Sequence, residues 1–205
     1  MRVPRWMHAW LLGAATCANA TAVSVSVHNA GNAAVADAVI VFDALDSRPA
    51  PAHATAVVDQ INKRFVPALS IVQTGTSVAF PNSDHIRHQV YSFSPAKTFN
   101  LKLYAGSPKV DVPFDTPGLV VLGCNIHDTM VGFIAVVDTP YFGKTGEDGR
   151  LRIDLPPGSY RMRVWHPAMA GAFAPLSIML GAEARSIPVS LTLDYGAAAP
   201  AAWPE

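Results

Sequence analysis

The chain is 205 residues long, and 15 basic residues balance 15 acidic ones, so it carries no net formal charge. A neutral chain without a basic stripe has nothing to draw in a phosphate backbone, which disfavours nucleic-acid binding. With 17 prolines, 14 glycines and many Val and Thr alternating with polar residues, it reads as strands and turns with no long amphipathic helix.

Arg2 and Arg5 precede an apolar run from Trp6 to Ala15, which ends in Ala18-Asn19-Ala20. A basic start, a short apolar stretch and a small-residue cleavage site predict a secretory signal peptide over 1–20, cut after Ala20. The run is too short to span a bilayer, and no later segment reaches the apolar length a spanning helix needs. The mature protein is therefore expected to be soluble, without a membrane span, and exported to the periplasm. Cleavage removes Cys17 and leaves Cys124 as the only cysteine. An unpaired thiol in an oxidising compartment is a liability unless it is buried or tied to a metal.

Further along, Val23–Val27 alternates strictly, Asn29–Asn32 turns, and Ala38–Phe42 is a second apolar strand, a pattern that predicts a hairpin. A Pro/Ala-rich link, Arg48–Ala52, then leads away as an interdomain connector would. Strands are expected at Ala56–Asp59, Leu69–Gln73, Ser77–Phe80, His88–Phe93, Thr98–Tyr104, Val110–Phe114, Gly118–Gly123 and Gly132–Val137. After the turn Gly146–Gly149, alternating runs recur at Arg150–Leu155, Tyr160–Trp165 and Ile187–Leu193. The Ala/Pro-rich tail from Gly196 to Glu205 is expected to be disordered.

Between two of these strands lies Gly123-Cys-Asn-Ile-His-Asp-Thr-Met130, a Cys-x-x-His-x-x-Met loop offering thiolate, imidazole and thioether within seven residues. That is the ligand set of a blue-copper site short of one histidine. The stretch Asp84-His-Ile-Arg-His-Gln-Val90 offers the missing one. A short loop on a rigid β frame is a place where a metal can be gripped. Asp84 with His85 or His88, and Asp128 with His127, invite an acid–base reading, but adjacent side chains generally point apart. His28 and His53 have no partners in spacing, and His166 is expected to cap a strand end.

These residues resemble the cupredoxin family, and within it the amicyanin and plastocyanin group. The resemblance rests on Phe65-Val-Pro67, Gly75–Asn82, His88-Gln-Val90, Pro117-Gly118 and the ligand loop, which occur in that family's order, and it covers roughly residues 53 to 138. The whole chain is also similar to exported plastocyanin-like proteins of the methylamine-utilization type. The resemblance implies one type 1 copper ion held by His88, Cys124 and His127, with Met130 as a weak axial ligand. His85 is the rival for the first position; His88 is preferred because it directly precedes a strand. Where the family commonly has Asn after the first histidine, tying the ligand loops together, this chain has Gln89. Phe80, Phe114 and Phe133 are expected to pack around the loop.

The stretch from Gly146 to Val164 is similar to carboxypeptidase regulatory-like, prealbumin-type sandwiches, and Val23–Phe42 resembles that module's opening strands. The expectation is an all-β chain: a Greek-key cupredoxin sandwich, 53–138, inserted in or packed with a second sandwich formed by 21–52 and 139–195, then a tail over 196–205. The resemblance implies electron transfer between redox partners, a donor and an acceptor, with no enzymatic activity. Four protein ligands would leave no open coordination position for catalysis. Copper delivery or storage is the alternative, but Met162, Met169, Met179 and His166 show no ligand-like clustering.

Overall fold

The structure, a computed structural model, describes residues 20–47, 50–51, 53–196, 200 and 203–204. The expected signal peptide, apart from Ala20, and its Cys17 lie outside the described residues. Among the described residues there is no helix; the chain is all-β. The described residues contain no helix long and apolar enough to cross a membrane.

Strand β1 (Thr21–Asn29) buries every second side chain, and it lies between β14 (Arg150–Leu155), antiparallel, and β17 (Arg185–Leu191), parallel. Strand β2 (Val39–Ala44) belongs to another sheet, between β13 (Phe142–Lys144) and β15 (Gly158–Trp165), with β16 (Leu176–Leu180) at the edge. The hairpin expected from Val23 to Phe42 is therefore not formed. β1 is buried on one face, whereas the unbroken apolar run Val39–Phe42 is buried on both, and the chain crosses from one sheet to the other between them. Val23, Val25 and Val27 of the first sheet meet Ile40, Phe42 and Met162 of the second in one core.

The stretch between β2 and β13 builds the rest. β6 (Leu69–Gln73), β12 (Val131–Val137), β11 (Gly118–Gly123), β8 (His88–Ser94) and β9 (Lys97–Tyr104) form a five-stranded sheet in that spatial order. A smaller sheet pairs β7 (Thr76–Ala79) with β10 (Val112–Phe114) and β3 (Thr55–Val57). Val90, Val120, Leu122 and Ile134 from the larger sheet pack on Val78, Val112 and Phe114 of the smaller one, with Cys124 and Met130 in the same core. A separate hairpin joins β4 (Asp59–Ile61) to β5 (Arg64–Val66).

A third cluster joins the two halves. Val39, Val41 and Trp165 of the β2 sheet pack against Leu69, Ala135 and Val137 of the five-stranded sheet. β12 is thus buried on both faces from Ile134 to Val137, as its continuous apolar run requires. The result is four β layers with three apolar interfaces. Phe133, expected to pack at the ligand loop, has the opposite parity to Ile134 and faces Trp165, at 5.6 Å between ring centroids. Of the expected tail, only residues 196, 200, 203 and 204 lie among the described residues: the Trp203 ring lies 5.9 Å from Trp165, and the Pro204 carbonyl accepts a 3.0 Å hydrogen bond from Arg163. The Trp203 indole provides the apolar surface for that contact.

Candidate metal centre

Gly123 and Val131 pair across the antiparallel β11–β12 ladder, so residues 124–130 form the closed end of a hairpin. The loop folds on itself through the Met130 N–H, which donates to the His127 carbonyl at 2.9 Å. His88 enters from the neighbouring strand, since Gly123 pairs with Tyr91 of β8. Beside His88 the β8–β9 register shifts between His88 and Val90. Two β9 residues, Lys102 and Leu103, there oppose Gln89, and both are exposed. This bulge breaks the expected alternation of Thr98–Tyr104, turning Leu103 outward and Tyr104 inward.

His88, Cys124 and His127 come together. One ligand-type atom from each lies within 4.8 Å of the others, the only such group of His, Cys, Asp or Glu among the described residues. His88 Nδ1 stands 3.8 Å from Cys124 Sγ, and the two imidazole centroids are 5.2 Å apart. His88 and Cys124 are fully buried, and His127 Nδ1 is a buried nitrogen with no hydrogen-bond partner among the described residues. A buried polar atom without a partner is costly unless something else meets it. Met130 is buried with them, in the same core cluster as Cys124. Phe80 and Phe114 line that core. His85 and Asp128 are exposed and do not join the group.

The far side of His88 is tied to Asp84, whose Oδ2 lies 2.8 Å from His88 Nε2. Sequence reading set this pair aside; the turn over 84–88 brings them together across four residues. Asp84 is itself gripped by the β4–β5 hairpin. The two turn residues, Asn62 and Lys63, have φ of 52° and 59°, the geometry of a type I′ turn. Their amides donate to Asp84 Oδ1 at 2.6 Å and Oδ2 at 2.8 Å. Burial works against the charged form, but the hydrogen bonds from Lys63, His88 and Asn62 prevail and hold the carboxyl below its ordinary range.

Gln89, which departs from the Asn usual at that position in the family the chain resembles, links the two ligand-bearing segments. Its Oε1 accepts from Asn125 Nδ2 at 3.0 Å, and its Nε2 donates to Asn100 at 2.7 Å. Asn125 had no part in the sequence reading; nothing in its type or spacing distinguishes it. Behind His88, the Tyr104 hydroxyl donates to the Phe80 carbonyl at 2.5 Å and accepts from Gln60 Nε2 at 2.5 Å. Burial there pushes its phenol up to about 12. His28 and His53 stand outside the group, and His166 closes the end of β15, its Nδ1 accepting from the Ala168 N–H at 3.1 Å.

No family model and no curated protein matches the chain. Solved structures that the chain is similar to include a copper-containing nitrite reductase, pseudoazurins, a purple cupredoxin and amicyanins. A copper-containing nitrite reductase from Thermus scotoductus aligns at 24% identity over 45% of this chain and 24% of its own, with a TM-score of 0.39. This chain therefore spans about a quarter of that enzyme. Pseudoazurin from Methylobacterium extorquens aligns at 24% identity over 42% of this chain and 76% of its own, TM-score 0.35. A purple cupredoxin from Nitrosopumilus maritimus aligns at 22% over 40% and 98%, TM-score 0.35. These scores are too low to decide the chemistry, which rests on the side chains themselves.

Proposed function

We propose that this is a periplasmic electron-transfer protein that would carry one type 1 copper ion, with His88, Cys124 and His127 as the residues that would hold it and Met130 as a weaker fourth ligand. The observation that carries the reading is the convergence of a buried thiol and two imidazole nitrogens within 4.8 Å, one of those imidazoles having a buried Nδ1 that no described residue satisfies. Bound copper would supply a one-electron couple. The donor set fits it: sulfur suits Cu(I), imidazole nitrogen suits Cu(II), and a fixed set that serves both needs little movement on electron exchange.

Each residue then has a distinct task. Cys124 binds as thiolate, and its burial keeps that sulfur from oxidants in an exported protein. His88, fully buried, anchors the site to the five-stranded sheet. His127 is less buried and lies on the loop, so it is the side chain nearest solvent and the port through which donor and acceptor proteins exchange electrons. Four protein ligands would leave no open coordination position, so the site would serve as a carrier rather than an enzyme. The flanking sandwich, 21–52 with 139–195, stiffens the sheet that bears the site. Purified mature protein titrated with Cu(II) tests this: one equivalent should give an intense blue band that bleaches with reductant and returns with oxidant. Pale copper that exchanges freely would point to delivery instead.

A further inference from the structure

We infer that Asp84 is a positioning residue for the metal: it fixes the proton of His88 on Nε2 and strengthens Nδ1 as a donor, lowering the reduction potential of the bound ion. The inference rests on the copper reading above.

A carboxylate only accepts hydrogen bonds. Asp84 takes the amides of Asn62 and Lys63, and its third contact is His88 Nε2 at 2.8 Å. Two acceptors do not approach so closely without a proton between them, so Nε2 carries it. The opposite nitrogen, Nδ1, is then free of a proton on metal binding, and it is the one that faces Cys124 Sγ at 3.8 Å. A negative charge behind the ring pushes electron density toward Nδ1 and makes it the stronger electron donor to a metal. Cu(II) gains more than Cu(I) from a stronger nitrogen donor. The hairpin matters because it leaves the carboxylate little freedom: both oxygens are held by backbone groups of a two-residue turn, so the ring it orients is held as well.

The test compares wild-type protein with Asp84→Asn and, as a charge control, Asp128→Asn, which removes the same charge from the exposed side of the ligand loop. Asp84→Asn should keep the blue band but bind Cu(II) about 10–100-fold more weakly. With Cu(I) affinity unchanged, each tenfold loss raises the potential by about 59 mV. Asp128→Asn should move it less. An unshifted potential in Asp84→Asn, or an equal shift in the control, overturns the inference. The second measurement needs no copper and no variant: ¹⁵N NMR of the His88 ring in metal-free protein in mildly alkaline buffer. A proton on Nε2 supports the inference and a proton on Nδ1 overturns it. Wild-type protein that takes up no blue copper would defeat the copper reading alone, leaving the tautomer to be decided by NMR.

Discussion

Tyr104 shows how one misaligned strand position becomes chemistry. The β9 bulge turns its phenol inward, where it bridges Gln60 and the Phe80 carbonyl, and burial raises its pKa to about 12. A group whose folded pKa exceeds its unfolded value, near 10 for tyrosine, contributes stability below the unfolded value and loses it as pH rises through the folded one. Urea unfolding of wild-type protein should therefore weaken across the window from pH 10 to about 12, and Tyr104→Phe should flatten that part of the profile. Equal slopes for the two would remove Tyr104 from the account. Gly149 is a second position with a fixed requirement. Its φ is +70°, and a Cβ there would stand 2.6 Å from the Val27 carbonyl oxygen. Gly149→Ala should cost about 1–3 kcal/mol, read as a lower urea midpoint at unchanged slope.

Strands buried on both faces are the elements on which the layers depend. Ile134 and Val136 of β12 face the core that holds Cys124, while Ala135 and Val137 face the β2 sheet. Ile134→Ala should cost about 2–5 kcal/mol by chemical unfolding, the price of a cavity in a fully enclosed core. These runs were legible as strands because Val39–Phe42 and Phe133–Val137 have no polar alternation to break. Their pairing was not. Strict alternation in β1 says that one face is buried, but nothing in it names β14 and β17 as neighbours rather than β2. The ligand loop was legible because metal chemistry constrains residue type and spacing together. Asp84 was not, since a carboxylate four residues before a histidine meets it only if the intervening turn closes, and the hairpin that grips Asp84 comes from residues more than twenty positions earlier. Asn125 and Trp203 escaped for a similar reason: each acts through a contact that local pattern does not encode.

The molecule as a whole is a stack in which the site-bearing half and the flanking half share an apolar seam. Trp165, fully buried, is its largest member and touches both Phe133 and Trp203. Arg163 closes the rim, its guanidinium bidentate on Asp43 at 2.7 and 2.8 Å and 5.6 Å from the Trp203 ring centre. This seam couples the halves, so unfolding in urea should be a single transition by fluorescence and by circular dichroism alike. Trp165→Ala should cost about 3–5 kcal/mol and separate the two probes. Two transitions already present in the wild type would mean that the halves fold independently.

The site itself is decided by one comparison: optical spectra of the mature protein and of Cys124→Ser, each with one equivalent of Cu(II). The wild type should turn intensely blue and the variant should not, because the proposed colour would arise from charge transfer out of the Cys124 sulfur. A blue band that survives in Cys124→Ser, or a wild type that stays colourless, would contradict a copper centre built on His88, Cys124 and His127.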